Sequence, residues 1–182
     1  MMGSLYRWIF RSIGWRVEGA FPRDIEKFIV AIAPHTSNWD FIIGVLARSV
    51  VGIKEAKFLG KSALFKWPFG FFFRWLGGYP VDRTASHDLV HAVVEIFNRH
   101  ERFILAIAPE GTRQKVAKLK TGFYYIALQS GVPIVPCGFD FTRKTVVIGG
   151  PFYPTGDLDR DMEVLRGFYR RIVGRNAQLG LD

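Results

Sequence analysis

Two apolar runs constrain this chain more than any other feature. "KFIVAIAP" spans residues 27–34 and "RFILAIAP" spans residues 102–109. Neither alternates apolar with polar residues, so neither suits a strand with one wet face. Short, β-branched and closed by proline, each reads as a buried strand, and buried strands need helices packed over them. The rest of the chain supplies such helices in alternation. Ser37 opens one that runs to about Val50. Residues 62–76 form one helix or two short ones around Pro68 and Gly70. Ser86 caps another to about Arg99, "GFYYIALQSG" is stopped by Gly131, and "DLDRDMEVLRGFYRRIVG" is amphipathic. Further strands are expected at "AKFLG", around "GGYPVDRT", and at "VPIVPCGFD" and "KTVVIGG". The pattern predicts a single α/β domain whose mostly parallel or mixed central sheet is flanked by helices. A length of 182 residues fits one domain.

Composition narrows the partners. The net charge is +9, with 49% hydrophobic and 15% aromatic residues. Such a chain is drawn to anions, and its aromatic richness favours a lipid surface over a solvated nucleic-acid face. A single cysteine, Cys137, excludes an internal disulfide and a multi-cysteine zinc site. Lys66 and Arg74 break the most apolar stretch, so no membrane span of about 20 apolar residues is expected. Residues 1–20 read as a separate amphipathic segment, with Leu5, Trp8, Ile9, Ile13 and Trp15 set among arginines. That suits a helix lying in a lipid interface, or an ordinary helix packed on the domain of residues 21–182.

Ligands of α/β sheets gather beyond the carboxyl ends of strands. If the two apolar strands neighbour each other in parallel, His35 and Glu110 emerge at one edge, with Arg113 following and Arg83 delivered by "GGYPVDR". A histidine can take a proton from a hydroxyl, and a carboxylate on its other nitrogen holds the tautomer. Asp40 is placed for that role. It is equally placed to complete a helix-capping box with Ser37. No G-x-S-x-G elbow occurs, so a nucleophilic hydroxyl would have to come from the substrate. Arg83 and Arg113 suit a phosphate, which a guanidinium grips with paired hydrogen bonds. Lys115, Lys118 and Lys120 read as a solvated basic rim that could also steer an anionic substrate or headgroup, and His87 and His91 as a helix face rather than metal ligands.

These residues fall into four blocks in order: "HTSNWD", "GGYPVDR", "PEGTR" and "VPIVP". With them the chain resembles the glycerolipid acyltransferases, which include glycerol-3-phosphate and lysophosphatidic acid acyltransferases, over about residues 27–140. The resemblance implies a glycerol-3-phosphate acyltransferase-like fold. It implies His35 as general base and Asp40 as its orienting partner. Arg83, Glu110, Gly111, Thr112 and Arg113 would hold the glycerol and phosphate of a lysophospholipid acceptor such as 1-acylglycerol-3-phosphate. Val132 and Pro133 would shape the acyl-donor side. The co-substrate would be acyl-CoA or acyl carrier protein, with no other cofactor and no metal. The setting implied is peripheral, at the cytoplasmic face of a membrane with anionic lipids. Pro80-Val81 in the second block and Gln114 after the third depart from the pattern and leave the acceptor open. Another lyso-lipid, such as an amino-acid lipid, and a non-catalytic lipid-binding module are the rival readings. No nucleic-acid motif is present, so nucleic acid is not expected as a partner.

Overall fold

A computed structural model describes residues 2–81, 86–111 and 119–179. Its centre is a seven-stranded sheet in the order β1-β7-β6-β2-β5-β3-β4. The strands are β1 (Arg16–Glu18), β2 (Lys27–Ile32), β3 (Lys57–Lys61), β4 (Gly78–Val81), β5 (Phe103–Ile107), β6 (Ile134–Asp140) and β7 (Thr145–Ile148). All neighbouring pairs run parallel except β6 and β7, so the sheet is mixed. The helices are α1 (Met2–Ser12), α2 (Trp39–Val50), α3 (Gly70–Trp75), α4 (Ser86–Arg99), α5 (Gly122–Ser130) and α6 (Leu158–Tyr169). Gly131 ends α5 with a φ of 63°, a left-handed turn that suits glycine.

The absence of alternation in the apolar runs has its expected cause. Ile29 and Ala31 of β2 join Val93 and Phe97 of α4, Phe123 of α5 and Leu165 of α6 in one core. Phe28 and Val30 of the same strand join Phe10 of α1 and Ile43 and Ala47 of α2 in the other. Residues 28–31 are all buried, alternate side chains facing the two layers, and this layering is what a parallel sheet requires.

The structure differs from the sequence reading at the N-terminus. The apolar residues expected to share one helix, Leu5 to Trp15, do not all do so. α1 stops at Ser12, Gly14 turns the chain with a φ of 80°, and Trp15 folds into the core. Arg16–Glu18 then form an edge strand beside β7, which no periodicity announced. Three residues are too few to carry a pattern. α1 packs on α2 through Phe10, while Leu5, Trp8 and Ile13 stay exposed. Residues 62–76 resolve into a 3₁₀ turn, Ser62–Phe65, and the short helix α3.

Candidate active site

β2 and β5 are adjacent and parallel, with Ala31 opposite Ile107. The segments that follow them therefore leave by the same edge of the sheet. His35 and Glu110 meet there: the His35 backbone N–H donates to Glu110 Oε2 at 2.9 Å. The loop between His35 and α2 is held by a second carboxylate. Asp40 Oδ2 accepts from the backbone N–H groups of Thr36 and Ser37, both at 2.8 Å, and lies 3.2 Å from His35 Nδ1. Ser37 Oγ in turn accepts from the Trp39 N–H at 3.1 Å, while Asn38 offers no side-chain cap. One carboxylate oxygen makes the contacts that both readings of the motif call for. Asp40 reaches back to the N–H of Ser37, as in a capping box, and the same oxygen orients the imidazole. That oxygen can only accept, so Nδ1 is the protonated ring nitrogen, and Nε2 has no hydrogen-bond partner among the described residues.

Asp40 and Glu110 are 2% and 1% exposed. Burial pushes the Glu110 carboxyl above its ordinary value of 4.5. The hydrogen bond from His35 N and the nearby imidazole oppose that rise, and the Asp40 charge adds to it. A carboxylate expected to hold acceptor is here tied, by one oxygen, to the backbone of the histidine itself.

A segment from the far C-terminus closes the other side of the loop. The Asn176 N–H donates to Thr36 Oγ1 at 3.2 Å, and Asn176 Nδ2 donates to the Thr36 carbonyl at 2.9 Å. Gly174 passes so close that a Cβ there would lie 2.8 Å from Thr36 Oγ1. The Arg175 guanidinium sits 5.2 Å from the Trp39 ring and 5.8 Å from the Phe141 ring.

His35 and Asp40 line a cavity of about 1550 Å³. Phe41, Gly44 and Ala47 of α2 form one wall, and Val30, Cys137 and Phe139 of the sheet form the facing wall. The interior is therefore apolar, while Gly111 and Lys120 border it near His35. Gly111 has a φ of 66°, and Lys120 Nζ lies 2.9 Å from the point its Cβ would occupy. Cys137 lines the same cavity, but burial pushes its thiol up to about 12. A thiol held protonated is a poor nucleophile.

Other expected residues fall elsewhere. Arg83, Thr112 and Arg113 lie outside the described residues, as do Gln114, Lys115 and Lys118. Val132 and Pro133 are buried just before β6, and the Pro133 carbonyl accepts from the Ile29 N–H near the start of β2. β6 runs parallel to β2, so they sit at the opposite edge of the sheet from His35 and outside the cavity lining. Lys120, read in sequence as part of a basic rim able to steer an anionic substrate, borders the cavity, and its N–H donates to the Pro109 carbonyl at 2.8 Å. One contributor was not singled out in sequence. Asn176 approaches Thr36 across 140 residues, a separation that no local pattern encodes.

Residues 14–140 match a protein-family model described as Acyltransferase. The chain is 31% identical over 153 residues to a 1-acyl-sn-glycerol-3-phosphate acyltransferase of Salmonella typhimurium, covering 79% of this chain and 60% of that protein. It is 31% identical over 148 residues to human 1-acyl-sn-glycerol-3-phosphate acyltransferase beta, covering 73% of this chain and 51% of that one. The chain thus spans 60% or less of the length of these two relatives. The crystal structure of the 1-acyl-sn-glycerophosphate (LPA) acyltransferase from Thermotoga maritima shares the fold, with a TM-score of 0.63 at 21% identity over 93% of this chain and 75% of that one.

Proposed function

The chain belongs to the acyltransferase family, and from that premise we propose that it moves a fatty acyl group from a thioester to the hydroxyl of a lysophospholipid such as 1-acylglycerol-3-phosphate. The observation that carries the reading is the pairing of His35 Nδ1 with Asp40 Oδ2 beside an apolar cavity. The fixed tautomer leaves the lone pair of Nε2 to accept a proton from the acceptor hydroxyl. The oxygen attacks the thioester carbonyl, and the tetrahedral intermediate collapses with cleavage of the C–S bond. The imidazolium, held by Asp40, returns its proton to the departing thiolate. An ester and a free thiol result, and no acyl-enzyme is needed. The buried, protonated Cys137 is in keeping with that economy.

The donor is acyl-CoA or acyl carrier protein. Its fatty chain suits the apolar space between α2 and the sheet. Lys120 joins Arg83, Gly111, Thr112 and Arg113 in meeting the glycerol and phosphate of the acceptor. The relatives named for 1-acyl-sn-glycerol-3-phosphate support that acceptor over other lyso-lipids. The protein works peripherally, at the cytoplasmic face of a membrane with anionic lipids. The net charge of +9, the exposed Leu5 and Trp8 of α1 and the exposed Ile13 just after it support this, and no described helix is long and apolar enough to cross a membrane.

The test is acyl transfer by purified protein, offering acyl-CoA or acyl carrier protein to a panel of lyso-lipids while released thiol is measured. His35→Ala is expected to lose at least about 10²-fold in kcat with its circular dichroism unchanged. Full transfer by that variant overturns the mechanism. Vesicle binding without thiol release by the unaltered chain would make it a binding module instead.

A further inference from the structure

We propose that Ser62–Trp75 is a membrane-docking surface that seats the cavity on an anionic bilayer, so that a lipid substrate slides in from the membrane rather than through water. Entry of substrate rests on the acyl-transfer reading; docking itself does not. The segment shows its aromatic side chains to solvent: Trp67 is 93% exposed, Phe71 76%, Phe69 68% and Trp75 64%. Monomeric proteins rarely expose contiguous apolar surface on this scale without a use for it.

The exposure is not that of a loose loop. Phe65 is buried, and its ring is so close to Gly60 of β3 and Gly78 of β4 that Cβ atoms there would lie 2.8 Å and 2.7 Å from it. Arg74 Nη1 donates to the Phe65 carbonyl at 3.1 Å, with its guanidinium 5.6 Å from the Phe65 ring. The Gly70 N–H donates to the Lys66 carbonyl at 2.9 Å. One aromatic pins the segment to the sheet while its neighbours project outward.

Two features select a bilayer as the occupant. Lys66 and Arg74 flank the aromatics on a chain of net charge +9. Aromatic rings with basic residues beside them are the composition of a lipid interface, where rings enter the headgroup region and cations meet anionic lipid. The patch is also continuous with the cavity. Leu64 and Phe72 of this segment and Ile42 of α2 line the cavity, yet are 44%, 43% and 45% exposed. Arg48 of α2 donates to the Leu76 carbonyl just after α3, tying the two sides of this rim together. An apolar rim leading into an apolar cavity gives a fatty chain an unbroken path from a bilayer.

The experiment uses the full 182-residue chain and vesicles of phosphatidylcholine with phosphatidylglycerol. Trp67→Ser/Phe71→Ser is chosen because both side chains are exposed and neither lines the cavity. Its partition onto vesicles is expected to fall by about tenfold or more. Transfer to vesicle-borne acceptor should fall in parallel, while transfer to a short-chain, monomeric acceptor stays within about twofold. In a separate variant, Trp67→Cys carries an environment-sensitive fluorophore, since the single native cysteine is buried. Its emission should shift to the blue on adding vesicles. Unchanged partition, an unshifted label, or an equal loss on the monomeric acceptor overturns the proposal. So does conversion of an oligomer to a monomer with vesicle binding intact, which would make the surface an interface between copies. A blue shift of the labelled Trp67→Cys chain on vesicles, together with a wild-type chain that binds vesicles but acylates no acceptor, upholds docking and refutes the acyl-transfer reading alone.

Discussion

Asp40 carries two duties on one oxygen, and its substitutions separate them. Asparagine keeps a side-chain oxygen that can accept from Thr36 N and Ser37 N, so the start of α2 survives. It removes the charge that, in the proposed mechanism, stabilises the imidazolium. Asp40→Asn is therefore expected to lower kcat by about 10²–10⁴-fold while the denaturation midpoint moves little. Asp40→Ala removes the capping contact as well, and should cost about 1–2 kcal/mol of stability besides the activity. Equal stability losses in the two variants would mean that the carboxylate charge, not the cap, holds the loop. Glu110 makes a prediction in pH. Burial raises its folded value above the ordinary 4.5, so the folded chain takes up this proton before the unfolded chain does. The stabilising contribution is complete below about 4.5 and is lost as pH rises through the raised folded value. Glutamine at 110 can keep the bond to His35 N but cannot titrate. Urea unfolding of wild type and Glu110→Gln from pH 7.5 to 4.5 should show their difference moving in favour of wild type as pH falls. A difference that is flat with pH would refute the raised value.

At the scale of elements, the site is a loop clamped from two sides. Glu110, at the exit of β5, holds the His35 backbone, and Asn176, beyond α6, holds Thr36. Thr36 is 3% exposed and takes two bonds from Asn176, one to its hydroxyl and one to its carbonyl, so this contact bears on the aim of the neighbouring His35. Asn176→Ala is expected to lower kcat by about threefold to tenfold with KM for the acceptor unchanged, because the loss falls on the orientation of His35 and not on binding. A rise in KM with kcat preserved would show that the C-terminal segment contacts substrate instead. The two halves of this clamp differ in how readable they were. β2 and β5 announce themselves by unbroken apolar runs, and their shared edge brings His35 to Glu110 once they are taken as parallel neighbours. The Ser37-to-Asp40 spacing likewise signals the cap. Asn176 carries no signal, because its partner is 140 residues away and a lone asparagine after a helix reads as a turn residue. β1 was hidden for another reason: three residues at a sheet edge, only one of them apolar, have no period to detect.

Across the whole molecule, the sheet separates two cores, and the cavity belongs chiefly to the one under α1 and α2. Val30, Ala47, Cys137, Phe139 and Val146 are members of that core and also line the cavity. The space between α2 and the sheet is thus an incompletely filled layer of the interior. That gap was invisible in sequence, since an apolar residue on a helix looks the same whether it meets a neighbour or a void. Gly44 marks its width. A Cβ at Gly44 would stand 3.5 Å from the Phe139 ring, an ordinary contact, so a methyl group fits and a longer side chain has to extend along the cavity. Replacing a glycine within α2 also favours the helix, by up to about 1 kcal/mol. Stability and chain selection should therefore part company in Gly44→Leu. The variant is expected to unfold no earlier than wild type on heating, yet to shift preference toward shorter acyl donors by about tenfold or more in relative kcat/KM. Donors of graded chain length, compared in competition, give the readout. An unchanged chain-length profile in a stable, well-folded Gly44→Leu would place the fatty chain somewhere other than between α2 and the sheet.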